Sequence, residues 1–347
     1  MAKSSARRNG LKFEKNPLFL THRRVVLSTI LGGIFLFYIW LFYFSLTPQQ
    51  PKESCPVVFY SNQCRQDLKL TFCQAIKKAQ HSIFLSMYAI TDPEVIALLD
   101  YKSHQGIDTT VFFDPSASPA NLKKLLHAPT KLFSVHCRGL MHRKILIVDD
   151  ALVYLGSANL TTQSLRLHDN FVIGLFSPPL AQYLRNPTIE SYRFNLTGQT
   201  AELWLLPENG TAALNNLIER IDHASSSIKI AIFTLTHPQI IASLIAAKQR
   251  GVKVEIAVDY FTARGASKKS IEQLKPSGIA IYLSQGRQLL HHKWALIDDE
   301  ALAMGSANWT KAAFARNQDF ILMLYPLNAN QKKYMQQLWE ILSLECN

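Results

Sequence analysis

The feature that most constrains this chain is that it repeats itself. Residues Ala79 to Pro93 (AQHSIFLSMYAITDP) are matched by Ala224 to Pro238 (ASSSIKIAIFTLTHP), an offset of 145 that also pairs Gly106 with Gly251 and Asp114 with Asp259. Solenoid repeats run roughly 20–50 residues, so a period this long marks a duplicated domain. Each copy starts with an amphipathic helical pattern (Phe72 to Ala79; Leu214 to Ala224) and continues in an apolar β-branched run typical of a buried strand. A helix opened by Asp92-Pro93 or His237-Pro238 follows, then a turn at Gly106 or Gly251 and a second strand ending at Asp114 or Asp259. These are β-α-β units, so the fold class is α/β with a parallel or mixed sheet covered on both faces. An apolar content of 48% against 18% charged residues supports such a core.

Each unit is followed by a strand with a charged opening: MHRKILIVDDALVYLGSANLT (Met141 to Thr161) and HHKWALIDDEALAMGSANWT (His291 to Thr310). Both contain His-x-Lys-x4-Asp, as His142, Lys144, Asp149 and His291, Lys293, Asp298. Seven residues beyond each Asp stands Gly-Ser-Ala-Asn, carrying Ser157 and Asn159 in one copy and Ser306 and Asn308 in the other. On a strand, positions i and i+2 share a face, so His and Lys point into a common pocket. Ser and Asn at the end of the returning strand can face it too. Arg143 and His292 alternate away, and His292 is expected to be structural.

Such a set suits phosphodiester chemistry. Imidazole serves as nucleophile or as acid and base near neutral pH, and lysines hold phosphoryl oxygens as point charges. Ser157, Ser306, Asn159 and Asn308 are expected to donate hydrogen bonds to the same oxygens. One motif would be weak evidence; two at equivalent points of a repeat are not coincidence.

On these residues the chain resembles the phospholipase D superfamily in its two-motif form, over about Leu68 to Leu342. The resemblance implies two α-β-α sandwich domains packed about a pseudo-twofold axis. It also implies a covalent phosphohistidine, no cofactor and no metal. The catalytic set carried over is His142, Lys144, Asp149, His291, Lys293 and Asp298, with His142 as nucleophile and His291 as general acid, the order being reversible. In the family the motif Asp is often structural, and another acidic residue beyond the Gly-Ser segment orients a histidine. Here the second copy offers Asp319 in RNQDF, whereas the first has Asn170 in LHDNF, with Asp169 beside it. A carboxylate stabilises an imidazolium better than an amide does, so the two histidines are expected to differ in pKa. Asp114 and Asp259, at strand ends, read as caps of the following segment in preference to residues lining a ligand crevice, the other role such ends serve.

A second feature lies before the repeat. Val25 to Leu46 is uncharged, longer than a signal-peptide core of about 7–15 residues, and lacks an A-x-A-like cleavage site, so it reads as a transmembrane helix. The flank before it has seven Lys and Arg against Glu14 alone, which keeps the N-terminus cytoplasmic and puts the body on the exported side. Half of the formal charge of +12 lies in that tail, which weakens any argument for nucleic acid from charge. The expected divisions are a basic tail 1–24, the helix 25–46, a linker 47–55, and domains 56–197 and 198–347. The cysteines Cys55, Cys64, Cys73, Cys137 and Cys346 lack metal-ligand spacing; a disulfide among the first three and free thiols are both open. The expected partners are a phospholipid membrane and a phosphodiester substrate, lipid first and nucleic acid second, met by one chain that is its own pseudo-dimer. An inactive scaffold is the third reading.

Overall fold

The computed structural model describes residues 17–127, 129–187, 191–285 and 288–346, with side chains omitted for 17–24 and 42–46. The chain divides into two units, Met1–Pro48 and Gln49–Asn347. In the first, a helix runs over Pro17–Leu46. The basic tail 1–24 lies outside the described residues apart from the helical backbone of 17–24. Among the described residues no helix is long and apolar enough to cross a membrane; side chains are described for 25–41 of the uncharged run.

The second unit holds two mixed sheets. The first contains β1 (Val57–Ser61), β2 (Ser82–Met87), β3 (Asp108–Phe113), β4 (Lys131–Ser134), β5 (Lys144–Val148), β6 (Leu152–Gly156) and β7 (Phe171–Phe176), in the order β1-β7-β6-β5-β2-β3-β4. The second contains β8 (Ser191–Leu196), β9 (Gln199–Leu205), β10 (Ser227–Ile232), β11 (Lys253–Val258), β12 (Ala280–Leu283), β13 (Lys293–Ile297), β14 (Ala301–Gly305) and β15 (Phe320–Tyr325), in the order β12-β11-β10-β13-β14-β15-β9-β8. The order repeats, with β9 in the place of β1 and β8 added at the edge. Among the described strands only β2-β3-β4 and β10-β11-β12 pair in parallel, the first two of each set joined by the helical crossovers Pro93–His104 and Pro238–Gln249. A division after residue 197 cuts the β8–β9 turn, and both strands pair in the second sheet. The last strand of the first sheet ends at Phe176 and the first strand of the second begins at Ser191.

Strand alternation sorts the apolar residues into three cores. Ile145 and Ile147 of β5 join Trp294 and Leu296 of β13 in one core shared by both halves. Leu146 and Val148 pack instead beneath the helices of the first half, and Ala295 and Ile297 beneath those of the second. All five cysteines are free thiols.

Candidate active site

The motif strands open where the halves meet, and each opening is stitched to the other half. The His142 amide donates to the carbonyl of Gln318 (2.8 Å), and the Gln318 amide to that of Leu140 (2.9 Å). Reciprocally, the His291 amide donates to the Asp169 carbonyl and the Asp169 amide to that of Leu289, both at 2.9 Å. Such reciprocity is what a twofold contact between similar surfaces produces. Asp114 accepts from the Met141 amide (3.0 Å) as well as from Ser116, and Asp259 from the Leu290 amide (3.2 Å) as well as from the helix it caps. Each carboxylate thus caps its segment, as expected, and also ties down the residue before a motif histidine.

Each imidazole is held by the opposite half. His142 Nδ1 meets Asp319 Oδ1 at 2.7 Å, and His291 Nδ1 meets Asn170 Oδ1 at 2.9 Å. Asn170 Oδ1 already accepts from the Ser157 hydroxyl (2.8 Å), while its Nδ2 donates to the carbonyls of Ser164 (2.8 Å) and His168 (3.3 Å). Asp319 Oδ1 likewise accepts from Ser306 (2.6 Å). Both acceptors call for hydrogen on Nδ1, which leaves Nε2 of each ring as the reactive nitrogen.

The glycines of the Gly-Ser-Ala-Asn segments make this approach possible. A Cβ on Gly156 would stand 2.4 Å from the Phe171 carbonyl oxygen, and one on Gly305 would stand 2.2 Å from that of Phe320. Ser157 and Ser306 then spend their hydroxyl hydrogens on Asn170 and Asp319 and accept from the amides of Phe171 and Phe320, each at 3.1 Å. This corrects the expectation that they donate to phosphoryl oxygens: they position the groups that hold the histidines. Asn159 and Asn308 keep side-chain oxygens without partners among the described residues.

Lys144 and Lys293 are 2% exposed, lie 5.0 and 5.2 Å from the ring centres of Tyr88 and Phe233, and donate to the carbonyls of His142 and His291. Burial pushes Lys144 down to about 7, against the pull of Asp319 and Asp114. Lys293 falls well below its ordinary value through burial and then through Lys144. His142 is lowered by burial and Lys144 despite Asp319, and His291 further, by burial, both lysines, His142 and His168. Burial alone would raise the Asp319 carboxyl, but His142, Lys144 and Ser306 outweigh it and hold it below the usual range. Two lysines that burial pushes toward neutrality regain their protons when an anion enters, so the pocket suits an anion.

Asp149 and Asp298, counted with the catalytic set from the motif, lie at the far ends of β5 and β13. Asp149 accepts from the amides of Gln80, His81 and Ser82, and Asp298 from those of Ser225, Ser226 and Ser227 and from two serine hydroxyls. With φ of 52° and 53° they open the left-handed turns to β6 and β14, a conformation Asp tolerates. They are scaffold. His292 is fully buried, bonded through Nε2 to Gln63 (2.6 Å) and driven to about 3 by burial and Lys293, so it is a neutral structural residue. Tyr88 and Phe233 escaped the sequence reading, although the 145-residue offset pairs them. Among the described residues no cluster of His, Cys, Asp or Glu could hold a metal.

The sequence and the fold match known proteins. A family model described as cardiolipin synthase, PLD-like domain, matches residues 72–188 and 217–342. A mitochondrial cardiolipin hydrolase of Xenopus laevis is 31% identical over 37% of this chain and 62% of its own length, and that of Homo sapiens 32% over 35% and 51%. The chain thus spans between half and two thirds of the length of these relatives. The crystal structure of phosphatidylserine synthase from Haemophilus influenzae superposes with a TM-score of 0.66 at 13% identity, over 86% of this chain and 88% of that one, and so shares the fold. Both halves carry the matched domain, and the chain belongs to the phospholipase D superfamily of phosphodiesterases.

Proposed function

We propose that this protein hydrolyses or transfers phospholipid headgroups through a covalent phosphohistidine. The observation that carries the reading is the pair of Nδ1 anchors crossing between the halves, with two buried lysines beside them. His142 is the nucleophile, because Asp319 can stabilise the cationic ring that forms when Nε2 bonds to phosphorus. His291, backed by a neutral amide, gives its Nε2 proton to the departing alkoxide. It then takes a proton from water or an acceptor alcohol, whose oxygen attacks phosphorus and returns the bonding pair to His142. Lys144 and Lys293, with Asn159 and Asn308, hold the non-bridging oxygens.

Lipid is favoured over nucleic acid by the family's description and by the uncharged segment 25–46. In this reading that segment anchors the chain with its N-terminus cytoplasmic and the second unit on the exported side. The test is to incubate the full chain in detergent and EDTA with cardiolipin, phosphatidylglycerol, or labelled single- and double-stranded nucleic acid. Headgroup release without nucleic-acid cleavage is expected. The reverse pattern would replace the lipid reading with a nuclease.

A further inference from the structure

A third imidazole stands beside His291. The His168 ring centre is 6.2 Å from that of His291, and its backbone is pinned from three sides. Its carbonyl accepts from Asn62 Nδ2 (3.1 Å) and Asn170 Nδ2 (3.3 Å), and its amide donates to Gln163 (3.0 Å). The ring itself, half-buried, has no hydrogen-bond partner among the described residues. At the equivalent place in the other half, Asn317 is engaged: its Oδ1 accepts from the Leu140 amide at 3.1 Å. One half-site therefore presents an additional free polar group next to its reactive histidine, and the other does not.

Burial and then Lys293 hold His168 below the ordinary histidine value, so at neutral pH it is one donor and one acceptor. That is the complement of a hydroxyl. Lys293, which already opposes a proton on His168, opposes an ammonium at the same place.

We propose that His168 forms the alcohol side of the site, where it hydrogen-bonds a hydroxyl of the leaving alcohol and of the acceptor that replaces it, selecting polyols of the glycerol type over ammonium-bearing alcohols and over water. The inference rests on reading His291 as the acid. In the transfer step the acceptor hydroxyl gives its proton to His291 Nε2 and its oxygen attacks phosphorus. The phosphorus–Nε2 bond to His142 breaks, and His168 fixes the acceptor through a second hydroxyl.

The test follows the full chain in mixed micelles of phosphatidylglycerol or phosphatidylcholine with isotope-labelled glycerol added, so that transfer onto the glycerol lipid is also visible, and compares wild type with His168→Ala and His168→Gln. The readout is the ratio of glycerol transfer to hydrolysis, which does not depend on how much enzyme is folded. His168→Ala should lower that ratio about tenfold, the scale of one hydrogen bond in a transition state, and His168→Gln should restore part of it. Preference for the glycerol-bearing lipid over the choline lipid should fall in parallel. An unchanged ratio in both variants would overturn the inference. A wild type inert on both lipids and on the soluble ester bis(p-nitrophenyl) phosphate would remove the proposed function and this inference with it.

Discussion

The two half-sites share their backbone and differ in the group behind the imidazole. In both, a Gly-Ser segment lets the following strand approach, and the serine fixes an oxygen that holds a histidine of the other half. Behind His142 that oxygen belongs to a carboxylate, and behind His291 to an amide. The local backbone shows why the amide suits its place: Nδ2 of Asn170 faces the carbonyls of Ser164 and His168, which a carboxylate oxygen would oppose. On the other side, Asp319 Oδ2 has no hydrogen-bond partner among the described residues. Identical frames can thus set two histidines to different tasks by one atom.

The comparison breaks most visibly if the histidine roles are reversed. With bis(p-nitrophenyl) phosphate, whose leaving group needs no proton, His291→Ala should still give a phosphate-labelled protein, whereas His142→Ala should give none and lose about 10³-fold or more in turnover. Label on the His142→Ala protein alone would exchange the assignments.

Next in size is Asp319→Asn, which makes the two half-sites alike. In the proposed mechanism it removes the charge that stabilises the cationic His142, so kcat/KM should drop by about 10²–10⁴. A loss below threefold would deny Asp319 that role.

The converse change, Asn170→Asp, sharpens the comparison through pH. In the proposed mechanism His291 acts protonated, so activity should fall as pH rises through its pKa, which burial and the neighbouring lysines hold well down. A carboxylate at 170 favours the imidazolium, and the alkaline limb of kcat/KM should move up by about one pH unit. The same change should cost about 1–3 kcal/mol of stability, because the new oxygen faces two carbonyls. An alkaline limb that stays in place would show that another group sets it.

The smallest effect concerns the turns. Hydrogen bonds from amides and serine hydroxyls outweigh the burial of Asp298 and hold it at about 2. A lowered folded-state pKa stabilises above the ordinary carboxylate value, and that stability is lost as pH falls toward 2. Thermal melts should find Asp298→Asn about 2 kcal/mol less stable at pH 7, converging with wild type in acid, with turnover per folded molecule intact. Asp149→Asn, with fewer donors, should cost less. Inactive but fully folded Asp298→Asn protein would return this residue to the catalytic set.

Much of the molecule was legible in the residues. The 145-residue repeat implied two similar α/β halves, and strand alternation brought His and Lys together and turned His292 away. Asp149 misled because a motif reports which residues recur together, whereas a left-handed turn and a catalytic carboxylate can both call for Asp. Ser157 and Ser306 misled because a hydroxyl has one hydrogen, and its partner is set by a strand that returns 13 residues later.

By itself, then, the sequence determined what is local: the periodicities, the caps, the paired motifs and the Asp319/Asn170 difference. Only the tertiary structure decided that each half holds the other's histidine. That contact joins residues 177 apart in one case and 121 in the other, through an interface whose register no local pattern encodes. The same closure set His168 beside His291 and buried both lysines, and burial, a property of the whole body, governs their charge.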